Sequence, residues 1–393
     1  MTESLVNKLK EEKEQVINWR RYFHQHPELS FQETKTAAYI AETLKGFGLE
    51  VITNVGGNGV LAYIRGDKAG PVIALRADFD ALPIQEQNDV PYRSEVDGVM
   101  HACGHDGHAS ALLGVAKVLS SETHRLKGTI VLIFQHAEEL IPGGAKSMIE
   151  AGALDGVEKV FGAHVSSDIP LGKVAIREGA VMAAADTFSI QIQGKGGHGA
   201  KPHTTVDSIA LGSQIVNYLQ QIVSRRVNPI DPAVVTVGVF QSGTAFNVIA
   251  DTAKIEGTVR TYNPDTRIFI EGEIERIVEG LCHASHASYQ YEYTRGYPAL
   301  VNDEAETAKV REITKKHLGE DVPIIVAPIL GGEDFAYYLK EKPGVFFHVG
   351  GRTDEEHTQF PHHHPRFDFD EDALHEIGKM FLAIVEEYVG FRD

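Results

Sequence analysis

Thr129-Ile-Val-Leu-Ile-Phe-Gln-His-Ala-Glu-Glu139 carries five apolar residues in a row and then stops on two adjacent carboxylates. An unbroken apolar run of this length reads as a buried strand. The same pattern occurs twice more. Pro71–Leu75 runs directly into Arg76-Ala-Asp78-Phe-Asp80, and Lys159-Val-Phe-Gly-Ala ends at His164. Helical periodicity separates these strands, which predicts an α/β architecture with a mixed sheet between helices. In an open α/β sheet the binding crevice lies beyond the carboxyl ends of the strands. Asp78, Glu138, Glu139 and His164 are therefore expected to share one edge.

Moving outward, Val16, Trp19 and Phe23 mark an N-terminal helix. Ala37, Ile40, Ala41 and Leu44 mark a second, with Thr34 as its expected cap. Gly59–Ile64 is a further strand. The pattern changes after about residue 182. Thr187–Gln193 alternates as a half-exposed strand, and a helix follows with Ile215, Leu219, Ile222 and Val223 in phase. Strands Ala233–Phe240 and Ala253–Tyr262, a helix from Ile270 to Leu281 and strand Ser288–Tyr293 complete a β-α-β-β-α-β order, the ferredoxin-like pattern. The α/β character then returns, with a helix over 303–318, strands Pro323–Ile329 and Gly344–Val349, and a last amphipathic helix through Ile377 and Tyr388. The expected organisation is a catalytic domain in two parts, 1–182 and 297–393, with an inserted α+β domain at 183–296.

Bulk properties narrow the function. A formal net charge of −18 argues against nucleic acid as a partner, since phosphate binding needs a basic face. No window reaches the apolar length of a membrane span. Met-Thr-Glu-Ser-Leu5 lacks the basic start and apolar core of a signal peptide, so the expected compartment is the cytoplasm. Cys103 and Cys282 are too few for a disulfide framework.

The chemistry concentrates in His101-Ala-Cys-Gly-His-Asp-Gly-His108, a loop ahead of a helix with Leu112, Val115, Ala116 and Leu119 in phase. Cys103 and His105, with Glu139, His164 and one of the C-terminal histidines, give N, O and S donors from four chain regions. That exceeds one tetrahedral structural site and suits two divalent ions sharing a donor and a water. On an extended segment Glu138 and Glu139 would point to opposite sides. One then binds metal while the other acts as general base. Asp78 and Asp80 fit either direct ligation or a supporting role behind a ligand. Gln193-Gly-Lys-Gly-Gly-His-Gly199 matches a dinucleotide fingerprint on paper, but the strand after it ends without an acidic residue for a ribose, so no NAD is expected.

Six motifs occur in order: Arg76-Ala-Asp-Phe-Asp-Ala-Leu-Pro83, Met100-His-Ala-Cys-Gly-His-Asp-Gly-His108, Ala137-Glu-Glu139, Gly197-His-Gly-Ala200, Gly332-Glu-Asp-Phe335 and His363-His-Pro-Arg-Phe-Asp368. Together they resemble the metallopeptidase family of aminoacylases, hippurate hydrolases, auxin-conjugate hydrolases and small carboxypeptidases, over almost the whole chain. The resemblance implies a dinuclear-metal, aminopeptidase-like catalytic domain with an inserted lid and dimerisation domain. It implies Cys103, His105, Glu139, His164 and His363 as metal ligands and Glu138 as the base, with Asp78 supporting the ligands. His363 is selected over its neighbours His362 and His364 because the family's ligand stands two residues before the proline. His198 would reach a partner subunit's site to stabilise the oxyanion, while Asn247, Arg260 and Gly332 would bind substrate.

The expected cofactors are two divalent ions per subunit, zinc or manganese ahead of cobalt or nickel. The expected assembly is a homodimer through the inserted domain, or a higher oligomer. The reaction implied is hydrolysis of N-acyl-L-amino acids. A short-peptide carboxypeptidase or an N-acetyl-diaminopimelate deacetylase would use the same residues. An inactive metal-binding protein is the alternative from another class.

Overall fold

The computed structural model describes residues 3–390, so Met1 and Thr2 of the N-terminal start lie outside it. The chain divides into two compact units. The first comprises Met1–Val181, Val301–Ala327 and Asp334–Asp393. Its eight-stranded sheet runs Glu50–Val55, Gly59–Arg65, Lys127–Gln135, Lys68–Asp78, Lys159–Pro170, Gly344–Arg352, Val174–Ala175 and Pro323–Ile324. The central strands are parallel to one another. The Glu50–Val55 and Gly59–Arg65 hairpin is antiparallel, as is the pairing of Val174–Ala175 with Gly344–Arg352. The sheet is therefore mixed. Leu75, Leu132, Phe161 and Phe347 are fully buried, as unbroken apolar runs require when helices cover both faces.

Helices Lys13–Gln25, Thr34–Gly46, His105–Ser120 and Asp372–Tyr388 bury apolar faces in the same core. The His105–Ser120 helix is buried along nearly its whole length, because Ala109, Ala111, Ala116 and Gly114 keep its surface low. Gly104 begins it in the left-handed region, φ 96°, and a Cβ there would stand 2.4 Å from Val165 Cγ1. Only glycine permits that close turn.

Three local expectations change. Thr34 is the first residue of its helix and not the cap. The helix-start N–H groups of Lys35 and Thr36 are instead satisfied by the Glu28 carboxylate, at 2.9 and 2.8 Å. The strand expected to end at His164 continues to Pro170, since Gly344–Arg352 pairs with it beyond that point, Val349 facing Val165. Pro323–Ile329 is a strand only over Pro323–Ile324.

The second unit comprises Met182–Leu300 and Pro328–Glu333. The short return segment, which the sequence placed with the catalytic part, joins this unit as Ala183 N–H donates to Ile329 O and Gly331 O at 3.1 and 3.0 Å. Its sheet order is Ala233–Ser242, Thr252–Thr261, Ala184–Gln193, Ser288–Arg295, all antiparallel. Phe188, Ile190 and Ile192 of one face pack with Ile215 and Leu219 of helix Ser208–Gln221 and with Ile274 and Val278 of helix Pro264–Ala284. Among the described residues no helix is long and apolar enough to cross a membrane.

Candidate metal centre

Strand Lys68–Asp78 ends on Asp78, and Asp80 follows two residues beyond it. Asp80 then organises the site. Its Oδ1 accepts from His105 Nδ1 at 3.0 Å, while its Oδ2 accepts from Ser30 Oγ at 2.7 Å and from the Glu139 backbone N–H at 3.0 Å. A carboxylate only accepts, so Nδ1 carries a proton, and Nε2 is the nitrogen turned away from Asp80. A metal-binding histidine usually has this carboxylate behind it.

His105 Nε2 is buried without a hydrogen-bond partner, as is Glu139 Oε1, 3.9 Å away. Burial opposes protonation of His105, but Asp78, Asp80 and Glu139 outweigh it and push its pKa up to about 10. These two ligand atoms, facing each other among carboxylates, make a place that attracts positive charge. A divalent cation fits it, displacing the proton as metal ligation requires.

The donors form linked sets. Cys103, His105 and His164 have ligand atoms within 4.8 Å of one another, as do Cys103, Glu139 and His363, and likewise His105, Glu138 and Glu139. Cys103, His105 and Glu139 thus each serve two of these sets, the arrangement a pair of neighbouring ions needs. Cys103 Sγ lies 3.5 Å from His164 Nε2. Burial, then the charges of Glu139 and Glu138, hold its thiol well above the ordinary cysteine range, and a coordinated ion reverses that preference. His164 directs Nδ1 to Val165 O at 2.6 Å, which leaves Nε2 for the centre.

Asp78 supports the site from farther back. Its Oδ1 meets His108 Nδ1 at 2.5 Å, and His108 Nε2 accepts the Val165 N–H beside His164 at 2.9 Å. Its Oδ2 is held by Arg76.

The expectation that Glu138 and Glu139 point apart does not hold. Ala137 sits in the left-handed region at φ 53°, so the chain past Gln135 is bent rather than extended. Both carboxylates consequently reach His105. Glu33, not anticipated from the sequence, anchors this bend by accepting the Ala137 N–H at 2.8 Å. Burial raises the Glu33 pKa to about 7.

The C-terminal histidines separate clearly. His363, at φ 66°, donates its N–H to Ala102 O at 2.7 Å and brings Nε2 to 3.3 Å from Glu139 Oε1. His362 has Nδ1 3.8 Å from Cys103 Sγ, while its Nε2 accepts from Ser167 N at 3.4 Å. His363 is the one grouped with Cys103 and Glu139.

In the second unit His198 and Asn247 are exposed neighbours. His198 pairs with Val248, and Gly199 N–H donates to Asn247 O at 2.9 Å. Arg260 pairs across the sheet with Ala185, and a Cβ on Gly332 would stand 3.2 Å from Ala185 Cβ. Thr252, at the other end of the same strand, pairs with Gln193, and Gly194 and Gly196 bond Asp251 beside it. Eight residues at ~3.4 Å each put about 27 Å between the two ends. Arg260 and Gly332 therefore stand at one end of this sheet, with His198 and Asn247 at the other.

The model of peptidase family M20/M25/M40 matches residues 74–387. An N-acyl-L-amino acid amidohydrolase of Geobacillus stearothermophilus is 49% identical over 77% of this chain and 82% of its own length. Thermostable carboxypeptidase 2 of Saccharolobus solfataricus is 41% identical over 98% of both chains. The crystal structure of a Bacillus subtilis protein described as a dinuclear metal binding peptidase from the M20 family superposes with a TM-score of 0.84 at 38% identity, covering 98% of this chain and all of the other. The chain belongs to peptidase family M20/M25/M40, and it is a hydrolase of amide and peptide bonds.

Proposed function

We propose that this protein is a metal-dependent amidohydrolase that cleaves N-acyl-L-amino acids to a carboxylate and a free amino acid. The observation that carries the reading is the three linked donor sets that meet at Cys103, His105 and Glu139. Cys103, His105, Glu139, His164 and His363 would hold two divalent ions. The sulfur and imidazole donors favour zinc, with manganese next and cobalt or nickel behind. When bound, such ions acidify a water and polarise the scissile carbonyl.

The chain's own groups do the rest. Glu138, buried beside His105, takes the proton of the attacking water and passes it to the departing amine. Arg260 grips the free α-carboxylate through its planar fork. Gly332 lines the same end of the inserted unit. Asn247 and His198, some 27 Å along the sheet from Arg260, are assigned to the site of a partner subunit. There His198 would donate to the developing oxyanion. The protein would thus be an obligate homodimer, or a larger assembly built from it.

The similarity to a carboxypeptidase favours a second reading, cleavage of short peptides by the same residues. Product release from N-acetyl, N-benzoyl and dipeptide substrates, with each metal restored in turn, separates the two. An N-acetyl-diaminopimelate substrate belongs in the same panel. No turnover of any of these would overturn the proposal.

Sharing of the site is tested by mixing. His198→Ala and Glu138→Gln should each be nearly inactive alone. After dissociation and reassociation together, the His198→Ala chain keeps its own Glu138 and receives His198 from its partner. Activity should return to about a quarter of wild type, as half the dimers are mixed and each holds one complete site. No recovery would place His198 in its own chain's site.

A further inference from the structure

We propose that Arg20 is a positioning residue that fixes the spacing between the two segments on which the metal ligands ride, Cys103–His105 and His363. The proposal rests on the metal-site reading above and extends it to a residue more than eighty positions from any ligand in sequence.

Arg20 lies on helix Lys13–Gln25 and is wholly buried. Its Nε donates to Asp106 Oδ2 at 2.9 Å, and Asp106 directly follows His105. Its Nη2 donates to Asp368 Oδ1 at 2.6 Å, on the segment that carries His363, and Nη1 reaches Glu371 Oε1 at 3.3 Å. The faces of the guanidinium are held by Tyr92 and Phe369, each ring centroid 4.7 Å away. Asp106 and Asp368 are fixed in turn. Asp106 Oδ2 also meets His24 Nδ1 at 2.8 Å, and Asp368 Oδ2 accepts the Tyr92 hydroxyl at 2.8 Å.

At the ligand end the same two segments meet through His363 N–H and Ala102 O, 2.7 Å apart. That hydrogen bond permits rotation about itself, and a second tie at a distance removes it. Arg20 supplies such a tie, farther from the ligands than the Cys103–His362 contact. A rigid fork that meets two carboxylates in fixed directions sets an angle as well as a separation, which an ammonium on a flexible stem does not. Stability is a weak reason for such a cluster, because buried ion pairs add little over well-packed apolar residues. The ligands it braces supply a better one.

The test is Arg20→Lys, read by competition for zinc against a chromophoric chelator, by zinc per chain and by thermal midpoint. Phe23→Leu, in the core on the same helix but outside the cluster, is the control for general destabilisation. Arg20→Lys should weaken retention of at least one zinc by about 10–100-fold, the effect usual for residues behind a metal ligand. Saturating zinc should recover most of the kcat. Phe23→Leu should lower the thermal midpoint while leaving zinc affinity at the wild-type value. If Arg20→Lys does not accumulate as folded protein, Asp368→Asn carries the same expectation. Wild-type zinc affinity in these variants, or an equal loss in Phe23→Leu at equal destabilisation, overturns the inference while leaving the metal site intact. A wild-type protein that binds fewer than two ions overturns the underlying reading as well.

Discussion

Glu138→Gln is expected to lower kcat by about 10²–10⁴-fold, the usual contribution of a positioned general base, with bound metal nearly unchanged. Glutamine preserves the shape and one acceptor oxygen, so packing in this buried position survives, but an amide cannot take the proton of the attacking water. The metals stay because the Cys103–Glu139–His363 and Cys103–His105–His164 sets do not include Glu138. Steady-state kinetics and elemental analysis of the same preparation provide the check. Activity within tenfold of wild type would remove Glu138 from the role of base.

Cys103→Ser is expected to lose metal and activity together. The sulfur is common to two donor sets, so its replacement weakens both at once. A serine hydroxyl is shorter, harder and protonated at neutral pH, whereas a thiolate binds zinc strongly. The loss should exceed the roughly 10–100-fold that changes behind a ligand cause. What affinity remains should shift from zinc toward manganese, and inactivation by peroxide should disappear with the thiol. Chelator competition with each ion measures the shift. Two zinc ions retained at wild-type affinity would refute the assignment of Cys103.

Much of this was legible where the signal is local. Ile130–Phe134 and Pro71–Leu75 announce strands because buried strands need unbroken apolar side chains, and both end as expected beside Asp78 and Glu138. The alternation in Thr187–Gln193 and the helical phase of Ile215 and Leu219 made the ferredoxin-like order readable. Cys103 and His105 stood out by density alone.

What escaped the sequence is non-local. His164 lies within its strand because a partner some 180 residues later extends the pairing. The convergence of Glu138 and Glu139 depends on the left-handed Ala137, which Glu33 and its buried carboxylate hold from a distant loop. Asp78 and Asp80 read alike in the sequence, and only the fold shows that Asp80 backs His105 while Asp78 backs His108. Among three adjacent histidines spacing has no power to choose; in the fold His363, tied to Ala102 O, is the one whose Nε2 stands near Glu139. Arg20 does carry a local signal. It falls four residues after Val16 and beside Trp19, on the face of the helix that turns inward.

The most direct test of the account is a metal titration of chelator-stripped wild-type protein, with release of free amino acid from an N-acetyl amino acid followed at each addition. The account predicts an inactive stripped protein whose hydrolysis returns with zinc or manganese and saturates at two ions per chain. Full activity without metal, or saturation at a single ion, would contradict it.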